Sequence, residues 1–229
     1  MSQFDLTLPL AGADRLPETI AERTRRIYDW LARVYPVSTR LFHSAAHRAA
    51  VELSGIGDGM QVLEVATGSG EMFRRLVALN RSGLTLGLDL SPNMAATTTD
   101  RIRKAFPAAH AYCHAVDVRH LPFTDRSFDA VVCCYLLELL SQDDIAIAVR
   151  EIRRVLRRNG LLTVVLISER DPIFNAAYHA CGRALPAFWG RQVERLVPAM
   201  LESHLFRIER ERDVRQIFYP SRVLVARRR

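Results

Sequence analysis

From Gln61 onward the chain alternates short, β-branched apolar runs with longer amphipathic stretches. That alternation restricts it to an α/β fold in which helices connect and flank a mostly parallel sheet. The runs 61–66 (QVLEVA), 84–90 (LTLGLDL), 110–118 (HAYCHAVDV), 128–137 (FDAVVCCYLL) and 161–168 (LLTVVLIS) read as five strands. A helix is expected through 71–80, ended by Asn80 and Gly83, and another begins where Ser91 caps and Pro92 takes the first position. In 143–158 the residues Ile145, Val149, Ile152 and Val155 recur on one helical face. Asn159 and Gly160 read as the left-handed stop of that helix. A helical stretch at 191–204 leads into 205–214 and 216–228, which read as an antiparallel pair completing the sheet.

Residues 1–57 contain helix-like segments at 18–35 and 40–55 and no strand signal, so they are expected to form a helical cap on the domain built by 58–229. A chain of 229 residues has room for one such domain with a well-buried core. No apolar run reaches the ~18 residues of a membrane-spanning helix, and the N-terminus lacks the pattern of a secretory signal. Cytoplasm is therefore the default location, with peripheral membrane contact expected if the acceptor is a lipid or quinone. Cys113, Cys133, Cys134 and Cys181 have spacings unlike zinc or redox motifs and are expected to be reduced and structural. The net charge of +7 is carried almost wholly by arginine, Lys104 being the only lysine. Arginine is scattered, apart from a run at Arg227, Arg228 and Arg229, and reads as a solvated face.

The stretch VLEVATGSG, Val62 to Gly70, ends a strand in a small-residue loop of the sort that wraps nucleotides. A dinucleotide fingerprint requires a third glycine, but the two possible registers place Phe73 or Glu71 there. A triphosphate loop requires a lysine, and none lies in this region. What remains is Glu64 before a loop with Gly68 and Gly70, where the backbone can approach a ligand closely. A carboxylate at that point suits a cationic amino group and repels pyrophosphate. Asp89 ends the second strand nineteen residues after Gly70, placed to accept ribose hydroxyls. Asp117 ends the third, placed to accept from an adenine amino group while Val118 offers its backbone N–H. Three acids at successive strand ends point to adenosine joined to an amino acid.

These segments, with 119–140 (RHLPFTDRSFDAVVCCYLLELL) and 150–165 (REIRRVLRRNGLLTVV), resemble the class I S-adenosylmethionine-dependent methyltransferases over roughly Gln61 to Ser168. The resemblance implies a Rossmann-like seven-stranded sheet with an antiparallel last strand. It implies S-adenosylmethionine as cofactor, with Glu64, Ala66, Gly68 and Gly70 around its methionine part; Ala66 stands where the family usually has glycine. It further implies Asp89 at the ribose, Leu90 and Met94 at the adenine wall, Asp117 and Val118 at the adenine edge, and Cys134 and Tyr135 facing the sulfonium and acceptor.

Methyl transfer needs no metal in principle. The segment 27–51 resembles the start of the menaquinone/ubiquinone-biosynthesis C-methyltransferases and the bacterial phospholipid N-methyltransferases, which implies a small amphiphilic or aromatic acceptor. Tyr28, His43 and Tyr135 are the expected catalytic residues, with His47, Tyr178 and His179 as further candidates. His43 and His47 share a helix face, yet no third metal ligand accompanies them. A nucleic-acid acceptor is the weaker alternative, since the fourth strand lacks the proline-bearing turns of base methyltransferases. A cofactor-binding protein without turnover is the other alternative.

Overall fold

The computed structural model describes residues 44–172, 174–176, 178, 191–216 and 219–229. In chain order these form α1 (Ser44–Ser54), β1 (Gln61–Val65), α2 (Glu71–Leu79), β2 (Leu84–Asp89), α3 (Pro92–Ala105) and β3 (His110–Ala115). There follow β4 (Phe128–Cys134), a single 3-10 turn (Leu137–Leu139), α4 (Gln142–Val155), β5 (Leu156–Ile167), α5 (Val197–Ser203), β6 (Phe206–Val214) and β7 (Ser221–Arg228). The seven strands form one sheet in the order β3-β2-β1-β4-β5-β7-β6. Strands β1 to β5 pair in parallel, and β7 runs against both β5 and β6. The expected sheet, with its reversed final strand, is the one observed.

Each face of the sheet carries helices because successive strand residues point to opposite sides. Leu63, Val65, Val131, Cys133, Leu162 and Val164 pack with Ile145, Val149 and Ile152 of α4 on one side. Val62, Ala130, Val132, Cys134, Val165 and Val223 pack with Ala46, Ala49 and Ala50 of α1 and Met72 and Leu76 of α2 on the other. Small residues on α1 let its backbone lie close to the sheet. Of the expected N-terminal cap, α1 is the described part; Tyr28, His43 and the earlier helix-like segment lie outside the described residues. Cys113, Cys133 and Cys134 are buried free thiols, and Cys181 also lies outside the described residues.

Several boundaries differ from the sequence-based expectation. Helix α4 stops at Val155 instead of 158, because Leu156 is fully buried beside Phe128 at the start of β5. Arg157 then pairs with Asp129 across the two strands. Asn159 has the left-handed φ expected of it, +62°, but serves a bulge inside β5, where the register jumps between Phe128 and Ala130. Strand β4 ends at Cys134, three residues early, and β3 ends before Asp117. The helix expected from Arg191 begins at Val197, with Pro198 in its first turn, where proline is tolerated.

Asn80 closes α2 and brackets the strand starts. Its Oδ1 accepts from the Met60 N–H at 3.0 Å, and its Nδ2 donates to Met60 O at 2.8 Å and Thr85 Oγ1 at 3.1 Å. The residue is 1% exposed, so water cannot replace these bonds. Replacing Asn80→Ala is expected to cost about 2–4 kcal/mol of unfolding free energy by stranding buried polar groups. Urea unfolding checks this, and a loss within about 0.5 kcal/mol, the scatter of inert surface substitutions, would contradict the bracket.

Candidate functional site

The strand order reverses between β1 and β4, and the crevice outside the carboxyl ends of the strands at such a point is where open α/β sheets bind ligands. Glu64 lies at the end of β1, between Gly87 of β2 and Val132 of β4. It is 1% exposed, and its Oε2 has no hydrogen-bond partner among the described residues. Burial, and then the nearby Asp89 carboxylate, raise its carboxyl well above the usual range. A buried acid in such a place is neutralised by keeping its proton or by a cation set against it.

Asp89 organises the loop that follows β1. Its Oδ2 accepts from the Gly68 N–H at 2.7 Å and its Oδ1 from the Ser91 N–H at 2.9 Å. Ser91 in turn caps α3 by accepting from the Met94 N–H. Thr67 donates its N–H to Leu88 O and packs against β2 where Gly87 has no side chain; a Cβ there would lie 2.6 Å from Thr67 Cγ2. Gly70 (φ +76°) begins α2, and a Cβ on it would meet Thr98 at 2.8 Å. Ala66 adopts φ +58°, so this turn keeps a left-handed backbone despite its Cβ.

Leu90 is half-buried beside Asp89, whereas Met94 is 2% exposed and lies inside the core. Asp117 follows β3, and its carboxylate receives the Arg119 guanidinium, with Nη2 2.6 Å from Oδ2. Arg119 also reaches Asp144 at 3.0 Å, tying this loop to α4. Burial raises the Asp117 carboxyl, but the Arg119 bonds outweigh it and hold the acid below its ordinary value. Val118 is buried in the main core.

At the end of β4, Cys134 is buried and Tyr135 takes φ +54°. Strained non-glycine backbone persists where its surroundings fix it, often at functional sites. Here the Tyr135 hydroxyl bonds Ser221 Oγ at 2.8 Å and accepts from Gln216 Nε2 at 3.2 Å. Gln216 Oε1 also accepts the Ala46 N–H at the start of α1. Burial pushes the Tyr135 phenol up, so it is a hydrogen-bonding group and not a base at neutral pH. Rings continue outward from it: Tyr219 edge-on at 5.7 Å, Phe174 at 6.5 Å from Tyr219, and Tyr178 at 5.5 Å from Phe174. His47 is buried 6.3 Å from Tyr135 on the other side. His179, Phe188 and Trp189 lie outside the described residues.

Sequence reasoning missed Gln216, Ser221 and Tyr219, whose approach to Tyr135 depends on β7 pairing with β5. It also missed Glu138, although one acid inside the apolar run LLELL is a legible signal. Glu138 is 2% exposed; its Oε1 accepts from the Ile167 N–H at 2.8 Å, while Oε2 is buried without a partner among the described residues. Burial raises its carboxyl to about 7 against the opposing bond from Ile167. Beyond β5 a depression of about 390 Å³ is lined by Arg170, Arg195, Arg222, Glu169 and Glu194. Its ion pairs balance one another, as Glu194 holds Arg222 at 2.7 Å and Glu169 holds Arg195 at 3.3 Å. Among the described residues no group of three His, Cys, Asp or Glu could hold a metal ion, and no helix is long and apolar enough to cross a membrane.

Residues 62–160 match the family model described as Methyltransferase domain. The chain is 28% identical over 191 residues to the ubiquinone/menaquinone biosynthesis C-methyltransferase UbiE of Cellvibrio japonicus, covering 80% of this chain and 75% of that protein. Among solved structures it superposes on the [4+2]-cyclase SpnF with a TM-score of 0.74 at 19% identity, covering 92% of this chain and 96% of that one. It also superposes on magnesium protoporphyrin IX methyltransferase from Synechocystis with bound S-adenosylhomocysteine, with a TM-score of 0.73 at 17% identity, covering 92% of this chain and 100% of that one. At these identities the two structures establish the fold.

The Glu138 carboxyl has a measurable consequence. The folded chain keeps its proton up to about pH 7, while the unfolded chain releases it near the ordinary value of 4.5. Between those values the folded state binds more protons, so this group's contribution to stability is present below pH 4.5 and lost as pH rises to 7. The full loss is on the order of 3 kcal/mol. Glu138→Gln keeps an acceptor for Ile167 and should flatten this pH dependence relative to the parent, measured by urea unfolding from pH 4.5 to 7.5. Parallel curves for the two proteins would contradict the assignment.

Proposed function

We propose, on the premise that the chain belongs to the class I S-adenosylmethionine-dependent methyltransferases, that it methylates a small, apolar, ring-bearing acceptor of the reduced-quinone kind. S-adenosylmethionine is the cofactor, and the observation that carries the reading of its site is the buried Glu64 with one carboxylate oxygen unpartnered among the described residues. That oxygen suits the cationic amino group of the methionine part, beside a loop whose left-handed turns at Ala66, Gly68 and Gly70 leave the backbone open to close approach. Asp89 belongs to the ribose hydroxyls, Leu90 and Met94 to the adenine side, and Asp117 and Val118 to the adenine edge. Cys134 and Tyr135 then border the sulfur and the acceptor.

When bound, S-adenosylmethionine supplies a methyl group already activated by its sulfonium. The chain's own task is to align the acceptor for in-line displacement and to exclude water. Alignment of that kind is worth ~7–11 kcal/mol of barrier. Tyr135 serves it as a hydrogen-bonding group held in place by Ser221 and Gln216. The rings of Tyr219, Phe174 and Tyr178, with Phe174 tilted 43° to Tyr178 and 44° to Tyr219, offer an apolar aromatic cluster against which another ring can pack. The C-methyltransferase of quinone biosynthesis among the relatives supports the same acceptor class. Tyr28 and His43 belong to this reading as acceptor-pocket residues.

Methyl-labelled S-adenosylmethionine, offered with a reduced 1,4-naphthoquinone, phosphatidylethanolamine and transfer RNA in separate reactions, tests the proposal. Label is expected on the naphthoquinol. Transfer to RNA alone would overturn the acceptor class, and cofactor binding without transfer to any acceptor would favour a binding protein. Asp89→Ala should weaken cofactor affinity by about 1–3 kcal/mol, the cost of unpaired ribose hydroxyls; calorimetry showing equal affinity would contradict the ribose contact.

A further inference from the structure

Arg126, Arg153, Arg158 and Arg228 meet at the end of the sheet opposite the crevice. Arg126 precedes β4, Arg153 lies in the last turn of α4, Arg158 stands near the start of β5 and Arg228 ends β7. Because β7 runs against β5, its C-terminal arginines arrive beside the beginning of that strand. The Arg154 carbonyl marks the meeting point: it accepts the Arg126 N–H at 3.0 Å and Arg228 Nη1 at 3.3 Å. Arg228 Nη1 also donates to Leu156 O.

The run Arg227, Arg228 and Arg229 is thus divided by the structure. Arg227 pairs with Glu209, Arg229 is exposed, and Arg228 is 8% exposed. The carbonyls at the end of α4 offset only part of its charge, since a helix terminus carries roughly half an elementary charge. Nearby acids are committed elsewhere, Glu151 and Asp125 to Arg154 and Asp129 to Arg157. Among the described residues no carboxylate forms an ion pair with any of the four arginines. Arg153 Nε and Arg228 Nε are buried with no acceptor there.

We infer that these four arginines form a binding site for a phosphate group, distinct from the crevice at the strand ends. Buried cations are retained when they are paired or ligated. Guanidinium forks match phosphate oxygens, and one phosphate brings close to two negative charges where a carboxylate brings one. The electrostatics agree: burial, and then Arg153, Arg126 and Arg158, press the Arg228 guanidinium below its ordinary range against a pull from Asp125. A solvated face accounts for exposed Arg126 and Arg158 but not for Arg228.

Inorganic pyrophosphate is the probe, titrated into the full chain at low ionic strength by calorimetry and thermal unfolding. One saturable site is expected, with a rise in Tm of roughly 3–6 °C at ten times Kd. Arg158→Gln, an exposed position, should weaken binding about tenfold, and Arg228→Met should abolish it. Sedimentation with phosphatidylglycerol and phosphatidylcholine vesicles separates the sources. Capture by the anionic vesicles alone assigns a lipid headgroup, and pyrophosphate binding without vesicle capture assigns a free phosphate compound. No response to pyrophosphate, or one unchanged in both variants, overturns the site.

Discussion

Two carboxylates at adjacent strand ends set the character of this molecule. Asp89 is committed to the backbone, holding the Gly68 and Ser91 amides and so fixing the loop after β1 against the start of α3. Glu64 is buried beside it with one oxygen unpartnered among the described residues, its acidity suppressed by burial and by the neighbouring charge. One acid shapes the crevice and the other creates a demand for positive charge inside it. The left-handed turn at Ala66 and the missing side chain at Gly87 follow from the same need, because both let the loop fold close over the strand ends.

The surroundings of Tyr135 are assembled from parts distant in the chain. Tyr135 leaves β4 in a left-handed conformation, and Ser221 from β7 and Gln216 just before it hold its hydroxyl. Gln216 simultaneously ties down the Ala46 amide in the first turn of α1. The reversed strand therefore completes the sheet and also carries the hydrogen bonds that position the tyrosine. Glu138, beneath the same strand ends, fastens β5 through Ile167.

Much of this was legible because it is local. Alternating apolar periods identified all seven strands, and the Ser91–Pro92 start of α3 follows from capping chemistry alone. The spacing of Glu64, Asp89 and Asp117 was readable because parallel strands bring their ends to one edge. The end of α4 was not, since burial of Leu156 against Phe128 overrides the helical period that continues through Arg158. The partners of Tyr135 were illegible because only the pairing of β7 with β5 brings Ser221 near. The Arg119 fork on Asp117 likewise depends on side-chain direction, which spacing does not reveal.

The central claim is that Glu64 receives the cofactor's amino group as an ionised acid. The most direct test is calorimetry of S-adenosylhomocysteine binding over a range of pH in buffers of different ionisation enthalpy. Burial and the Asp89 carboxylate raise the Glu64 carboxyl, and an arriving ammonium group pulls it back toward the ionised form, releasing a proton. The apparent enthalpy should therefore vary with the buffer as proton release requires, and that variation should vanish in Glu64→Gln. Binding of equal strength and equal buffer dependence in the two proteins would contradict the account.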